Sequence, residues 1–185
     1  MRISNWLCIC SVVLLLSGCS VTPEKAVGRE DLSSDVKEAI PYFRQKDPSI
    51  QKFFDASVGY AVLPKVYKGA FWVGGAYGKG QVFDRSGALL GYCDMKQATI
   101  GFSFGGEYFR EIIFFRRPAD MQRFMKGNFA LSAQATATAV AVGAAAKVDY
   151  KDGMAVFVLA DAGLMVDASV GGQRFEFEAV PRLMN

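Results

Sequence analysis

The fold is decided by residues 58–83, which read VGYAVLPKVYKGAFWVGGAYGKGQVF. Glycine, aromatic and β-branched residues dominate this stretch, and such a composition favours β-strands. Turn residues follow at Asp84-Arg85-Ser86-Gly87, and an earlier turn is predicted at residues 65–68. The stretch therefore predicts consecutive strands joined by short turns.

Paired glycines recur at Gly74-Gly75, Gly105-Gly106 and Gly171-Gly172, each time between apolar runs. Glycine inside a strand costs stability, so its recurrence predicts bulges, sharp bends or the close passage of another backbone. A strongly bent, barrel-like sheet needs such positions. A phosphate-binding loop at residues 74–80 is the alternative, but its glycine spacing is too short and Gly80 replaces the required Ser or Thr.

Helical patterns precede the strands. Apolar residues recur at helical spacing over residues 31–43, and this helix is expected to end or to be interrupted near Pro41. Asp47 is a predicted N-cap, with Pro48 in the first helical position of a short second helix whose apolar residues are Ile50, Phe53 and Phe54. Because the polar face of the first helix carries both charge signs, a lid on the core is favoured over a membrane-surface element.

A later helix is predicted at residues 118–126, with Pro118 in the first position and Gly127 after the last turn. Residues 128–146 are uncharged and rich in Ala. Their period-two alternation favours a strand over an Ala-rich helix or a membrane span. The chain is thus predicted to be an α+β protein, with a strongly bent, barrel-like antiparallel sheet, N-terminal helices and one inserted helix.

The N-terminus predicts a lipoprotein signal peptide at residues 1–18. Residues 6–16 form an apolar run too short to span a bilayer, and Leu16-Ser17-Gly18-Cys19 provides a thiol for lipidation. An ordinary cleaved signal is the alternative. We expect residues 19–30 to be the lipidated Cys19 and a tether, and residues 31–185 to be one domain. Ser20 favours the outer membrane, on its periplasmic side.

Composition excludes several classes of function. The chain has 185 residues, a formal net charge of +3 and no His, which rules out His-dependent catalysis and His-ligated metals. Without a dense basic run we expect no nucleic-acid partner, and we expect no cofactor and no metal. Once the signal is removed and Cys19 is lipidated, Cys93 is the remaining cysteine, and we expect it to be a small buried hydrophobe.

Five segments in order resemble the SYLF lipid-binding domain. They are residues 58–69, residues 74–80, Gln97 to Gly106, Glu111 to Phe115, and Gly163 to Gln173. The resemblance extends from about Leu32 to Phe177. It implies phospholipid binding, with phosphoinositide preference in eukaryotic members and an actin-related activity in some fungal ones. For a stand-alone domain behind a lipoprotein signal, it implies binding of anionic headgroups at the cell envelope.

Lipid contact requires cations beside aromatic side chains, so the candidate headgroup-binding residues are Lys65, Lys68, Lys79, Arg116 and Arg117. These lie near Tyr67, Trp72, Phe114 and Phe115, and solvated turn charges are the alternative interpretation. The competing function is a structural or interaction protein of the envelope without a specific lipid ligand. We do not expect an enzyme, because the carboxylates Glu107, Glu111, Asp161 and Asp167 show no convergent spacing.

Overall fold

The protein is described by a computed structural model covering residues 26–70, 73–100, 105–127, 129–131, 144–160 and 170–181. The predicted signal peptide, Cys19 and most of the tether lie outside the described residues, as does most of the Ala-rich segment. The helices are α1 (Ala26–Lys46), α2 (Gln51–Ala56) and α3 (Pro118–Met125), with 3-10 turns at Pro48–Ile50 and Ala144–Lys147.

Antiparallel strands form one curled sheet, and the predicted α+β class with a bent sheet is confirmed. The strands are β1 (Gly59–Ala70), β2 (Val73–Asp84), β3 (Leu89–Ile100), β4 (Gly105–Phe115), β5 (Phe129–Leu131), β6 (Met154–Ala160) and β7 (Val170–Ala179). Their order across the sheet is β5-β7-β3-β2-β1-β4-β6. The predicted turn at residues 84–87 joins β2 to β3.

The concave face of the sheet encloses one hydrophobic core. It is filled by inward side chains such as Leu63, Met95, Ile113 and Phe175, and α3 adds Phe124. Glycines permit this tight curl, because a Cβ on Gly80 would lie 2.9 Å from Leu63 Cγ. Cys93 belongs to this core at 2 % exposure, so the prediction of a buried thiol is confirmed.

The convex face carries a second core under α1 and α2. The face of α1 formed by Leu32, Val36, Ala39 and Phe43 is buried against the sheet, which confirms the predicted lid. The predicted cap is also correct, since the Asp47 carboxylate accepts the Ser49 N–H at 3.0 Å.

Helix α1 differs from the prediction at both ends. It begins at Ala26, so residues 26–30, expected in the tether, are helical. It also continues through Pro41 to Lys46, although proline removes one backbone donor. Packing of the apolar face on both sides of Pro41 explains this, because tertiary burial outweighs the local cost of the proline.

Two strand predictions also need correction. Residues 65–68 lie inside β1 and do not form a turn, and a bulge between Val62 and Lys65 replaces it. Pro64 occupies this bulge, where its missing N–H is tolerated in a central strand. Of the three alternatives predicted for the glycine pairs, bulges are wrong for the described pairings, which show no shift in register there. A close approach of another backbone is found at one of them, since a Cβ on Gly75 would lie 3.3 Å from the backbone oxygen of Gln97.

Candidate functional site

The paired glycines of the sequence lie side by side in the sheet. Gly69 pairs with both Gly75 and Gly106, while Ala98 joins Gly75 to Gly172. These small residues form a band across five strands, and the connections from β1 to β2, β3 to β4 and β6 to β7 all leave the sheet at this end. We call it the glycine end.

A row of aromatic and cationic side chains lies two residues from this band on the convex face. Tyr67 pairs with Tyr108 on one side and with Tyr77 on the other, and the row continues through Lys96 to Arg174. Tyr67 and Tyr108 are 59 % and 39 % exposed, with ring centroids 6.2 Å apart. We call these five residues the tyrosine row.

The bulge at Leu63–Pro64 sets the direction of the side chains in this part of β1. Its extra residue brings Lys65 into register with Lys79, so that both lie on the convex face with Tyr67. Without the extra residue, every side chain beyond Pro64 would change face, and Val66 would leave the core.

A groove of about 280 Å³ separates the first turns of α1 from the β1–β2 hairpin. The helix contributes Asp31 and Asp35, and the sheet contributes Lys65, Lys79, Tyr67 and Tyr77. Lys65 Nζ donates to both carboxylate oxygens of Asp35, at 2.8 and 2.9 Å. This hydrogen bond raises the pKa of Lys65, which keeps its ammonium group charged.

Partial burial affects the protonation of the Tyr77 phenol. Loss of solvation, followed by the negative charges of Asp94 and Glu176, raises the pKa of its phenol. Tyr77 therefore keeps its proton at physiological pH.

The structure separates the predicted headgroup residues into two groups. Lys65 and Lys79 line the groove, whereas Lys68 is half-buried on the concave face because it alternates with Tyr67. Arg116 and Arg117 follow β4, beyond the Gly59 end of β1. Tyr67 comes eight positions after Gly59 along β1, which is roughly 26 Å of strand. The binding role of all five residues stays a prediction.

The two arginines also have partners of their own. Arg117 forms a two-point pair with Asp120 at 2.9 and 3.0 Å, and this hydrogen bond lowers the pKa of the carboxyl group. The Arg116 guanidinium lies 5.5 Å from the centre of the Tyr150 ring. The neighbouring Phe114 and Phe115 are fully buried, so they offer no surface for lipid contact. Trp72 lies outside the described residues.

The sequence signal for the tyrosine row is the spacing after each glycine pair. Tyr77, Tyr108 and Arg174 each stand two residues after the second glycine of their pair. Alternation in a strand then places them on one face, next to the glycine band. The spacing after the glycine pairs was therefore sufficient to find Tyr77, Tyr108 and Arg174, although these three residues were not among the predicted headgroup-binding residues.

One polar contact crosses the core and had no signal in the sequence. Gln173 Nε2 donates to Glu111 Oε2 at 2.8 Å, and both side chains are buried. Their strands, β7 and β4, are not neighbours, so the contact spans the concave side of the sheet. Loss of solvation raises the pKa of Glu111 to about 7, against the opposing hydrogen bond from Gln173.

Other functional features can be checked within the described part of the chain. Its acidic and cysteine side chains form no group of three that could hold a metal ion. Glu111 meets an amide instead of a second carboxyl group, and the side chains of Glu107, Asp161 and Asp167 lie outside the described residues. None of the described helices is long and apolar enough to cross a membrane.

Comparisons with known proteins agree with part of the resemblance. Residues 96–179, which run from β3 to the end of β7, match the Ysc84 family model, described as Las17-binding protein actin regulator. Beta cell expansion factor A of Aeromonas veronii is 25 % identical over 130 residues, which are 70 % of this chain. Those residues are 49 % of the relative, so the chain spans about half of its length. The predicted SYLF-type domain is thereby supported over its second half.

Proposed function

We propose that this protein is a lipid-anchored envelope protein whose domain binds a phospholipid surface through its glycine end. The tyrosine row carries the proposal, because aromatic rings with polar tips suit the interface between lipid and water. Tyr67 and Tyr108 are large, exposed and adjacent, which distinguishes them from the buried aromatic side chains of the two cores.

The positions of the cations also favour the glycine end as the part of the domain that faces the lipid. Lys96 and Arg174 continue the tyrosine row on exposed positions, and Lys79 lies in the next row of the same face. Each cation near an anionic surface contributes about 1 kcal/mol of attraction, which decays over a Debye length of about 10 Å at 0.1 M salt. We therefore expect anionic lipid to strengthen binding, and salt to weaken it.

The membrane contact can be tested with the full chain in phospholipid nanodiscs that contain a spin-labelled headgroup lipid. We expect paramagnetic broadening of the ring signals of Tyr67, Tyr77 and Tyr108. The Tyr150 ring, near the opposite end of β1, is the internal control and should stay sharp. Equal broadening at all four rings, or none at the row, would leave the structural envelope role as the better explanation.

A pair of variants separates the two groups of predicted cations. Lys79→Ser with Lys96→Ser should reduce the broadening of the row in anionic nanodiscs. Arg116→Ser with Arg117→Ser should leave it unchanged, because these arginines lie at the far end of β1. The reverse result would move the lipid surface to the β4–α3 connection.

The anchor is a separate part of the proposal. Lipidation of Cys19 would hold the protein on the periplasmic side of the outer membrane, since several acyl chains together make membrane attachment stable. Cys19→Ala should leave an unprocessed precursor in the inner membrane, detected by fractionation and by its larger mass. If this variant is processed and fractionates like the parent protein, the lipoprotein assignment is wrong.

A further inference from the structure

The groove between α1 and the β1–β2 hairpin is lined by two carboxylates and two ammonium groups. Lys65 and Asp35 are paired with each other. Asp31 on the helix and Lys79 on the sheet line the same groove, yet neither makes an ion pair or a side-chain hydrogen bond with any described residue.

The mixture of positive and negative charges makes the groove unfavourable for an ion of one charge sign. A phosphate on Lys79 would lie in a groove that also holds two carboxylates, and a bare cation on Asp31 would meet two ammonium groups. A molecule that carries a phosphate and an ammonium group on a short linker satisfies both unpaired residues at once.

The exposed Tyr67 ring refines the choice of ligand, because it can cover an ammonium group from the rim of the groove. A carboxylate such as Asp31 accepts hydrogen bonds from a primary ammonium, whereas a quaternary ammonium has no N–H to donate. The volume of about 280 Å³ accommodates a headgroup of this size.

We propose that this groove binds a phosphoethanolamine group, with the phosphate on Lys79 and the ammonium on Asp31. The group can come from a phospholipid or from a soluble compound. The lipid source rests on the proposed membrane contact, because the groove lies beside the tyrosine row, while binding of the soluble group does not depend on it.

The soluble arm uses the full chain in an uncharged maltoside detergent, with binding followed by the amide NMR signals of Leu32 and Gly78. Phosphoethanolamine should bind more tightly than phosphocholine, glycerol 3-phosphate or ethanolamine. Lys79→Gln should weaken phosphoethanolamine binding roughly tenfold, because a charge-assisted contact is lost. Asp31→Asn should weaken it by a similar factor without weakening glycerol 3-phosphate, and Asp31→Lys should favour glycerol 3-phosphate.

Lys126→Gln is the matched control, since this exposed cation follows α3 and lies outside both the groove and the tyrosine row. It should leave phosphoethanolamine affinity unchanged. Equal binding of phosphoethanolamine and glycerol 3-phosphate by the parent protein, or no effect of Asp31→Asn, would overturn the proposal.

The lipid arm compares nanodiscs containing phosphatidylethanolamine with nanodiscs containing phosphatidylglycerol. Larger shifts at Leu32 and Gly78 with phosphatidylethanolamine, lost in Asp31→Asn, are expected if the lipid is the source. Selective binding of the soluble group without broadening of the tyrosine row would support the groove and contradict the membrane contact. Broadening of the row without selectivity for the amine in either arm would support the membrane contact and overturn the groove assignment.

Discussion

The core of the protein contains a buried acidic residue, Glu111, whose surroundings favour its uncharged form. Glu111 is fully buried, and its Oε1 atom and the Oε1 atom of Gln173 have no hydrogen-bond partner among the described residues. Both are acceptors, and a proton on Glu111 would turn its Oε1 atom into a donor while Gln173 Nε2 donates to Oε2. This arrangement favours the neutral acid, in agreement with the raised pKa.

Glu111 should therefore make stability depend on pH. The carboxyl group ionises near its ordinary value of 4.5 in the unfolded chain and near 7 in the folded protein. Between these values the folded protein holds one more proton, so the free energy of unfolding decreases as pH rises, by about 3 kcal/mol in total. Glu111→Gln should remove this decrease, measured by urea unfolding at pH 4 and pH 8.

The matched control for this prediction is Glu176→Gln, which removes an exposed carboxylate paired with Lys96. It should change stability by less than about 1 kcal/mol, because exposed pairs contribute little. The assignment fails if Glu111→Gln and the parent protein lose the same free energy between pH 4 and pH 8.

Gly153 and Gly127 test the cost of a side chain at positive φ. Their φ angles are +81° and +77°, but a Cβ on Gly153 would overlap the Asp120 carboxylate, whereas a Cβ on Gly127 meets nothing within 4 Å. We expect Gly127→Ala to cost about 1 kcal/mol of unfolding free energy from backbone strain alone. Gly153→Ala should cost at least 1 kcal/mol more in the same urea titration, and equal costs would contradict the steric argument.

At the scale of elements, packing determines where helices and strands end. Pro41 is exposed, and helix α1 passes through it because Val36, Ala39 and Phe43 are buried on the opposite face. The proline costs about 3 kcal/mol in a helix interior relative to Ala. The proline in the sequence therefore predicted that the helix would end or be interrupted near Pro41, whereas tertiary contacts maintain the helix to Lys46.

Pro41→Ala should stabilise the protein, because it restores a backbone donor and removes the ring from the preceding turn. We expect a gain of about 1–3 kcal/mol in unfolding free energy, measured by thermal and urea unfolding. The comparison variant is Pro48→Ala, since Pro48 is in the first helical position, where proline is favourable. Destabilisation by Pro41→Ala would contradict the view that proline is unfavourable at this position of the helix.

At the scale of the whole molecule, buried polar contacts connect distant segments. The Asp47 carboxylate accepts Ser49 N–H with one oxygen and Ala145 N–H, 98 residues away, with the other at 2.8 Å. Ser57 and Tyr150 hydroxyls share a hydrogen bond of 2.8 Å on the same side. Residues 145–150 are thus fixed to the segment from Asp47 to Ser57 by polar contacts as well as by burial.

Asp47→Ala should remove both contacts. We expect a loss of about 2–4 kcal/mol, because a helix cap disappears and the Ala145 N–H remains buried without an acceptor. Hydrogen exchange should accelerate at Ala145 and Ser49 before global unfolding. Asp149→Ala is the control, since Asp149 is exposed and accepts only its neighbour's Tyr150 N–H among the described contacts. Unchanged exchange at Ala145 would contradict the proposed connection.

Composition and short-range spacing were enough to predict the fold class, the lid helix, the Asp47 cap, α3 and the strand-rich half. The sequence also supplied Lys65 and Lys79, and the spacing after each glycine pair was enough to identify Tyr77, Tyr108 and Arg174 of the tyrosine row. The tertiary structure was needed to assign a face of the sheet to each cation, because one extra residue at Leu63–Pro64 reverses the alternation. It alone joined Glu111 to Gln173 and Asp47 to Ala145, because those contacts depend on sheet curvature and strand order, which local patterns do not encode.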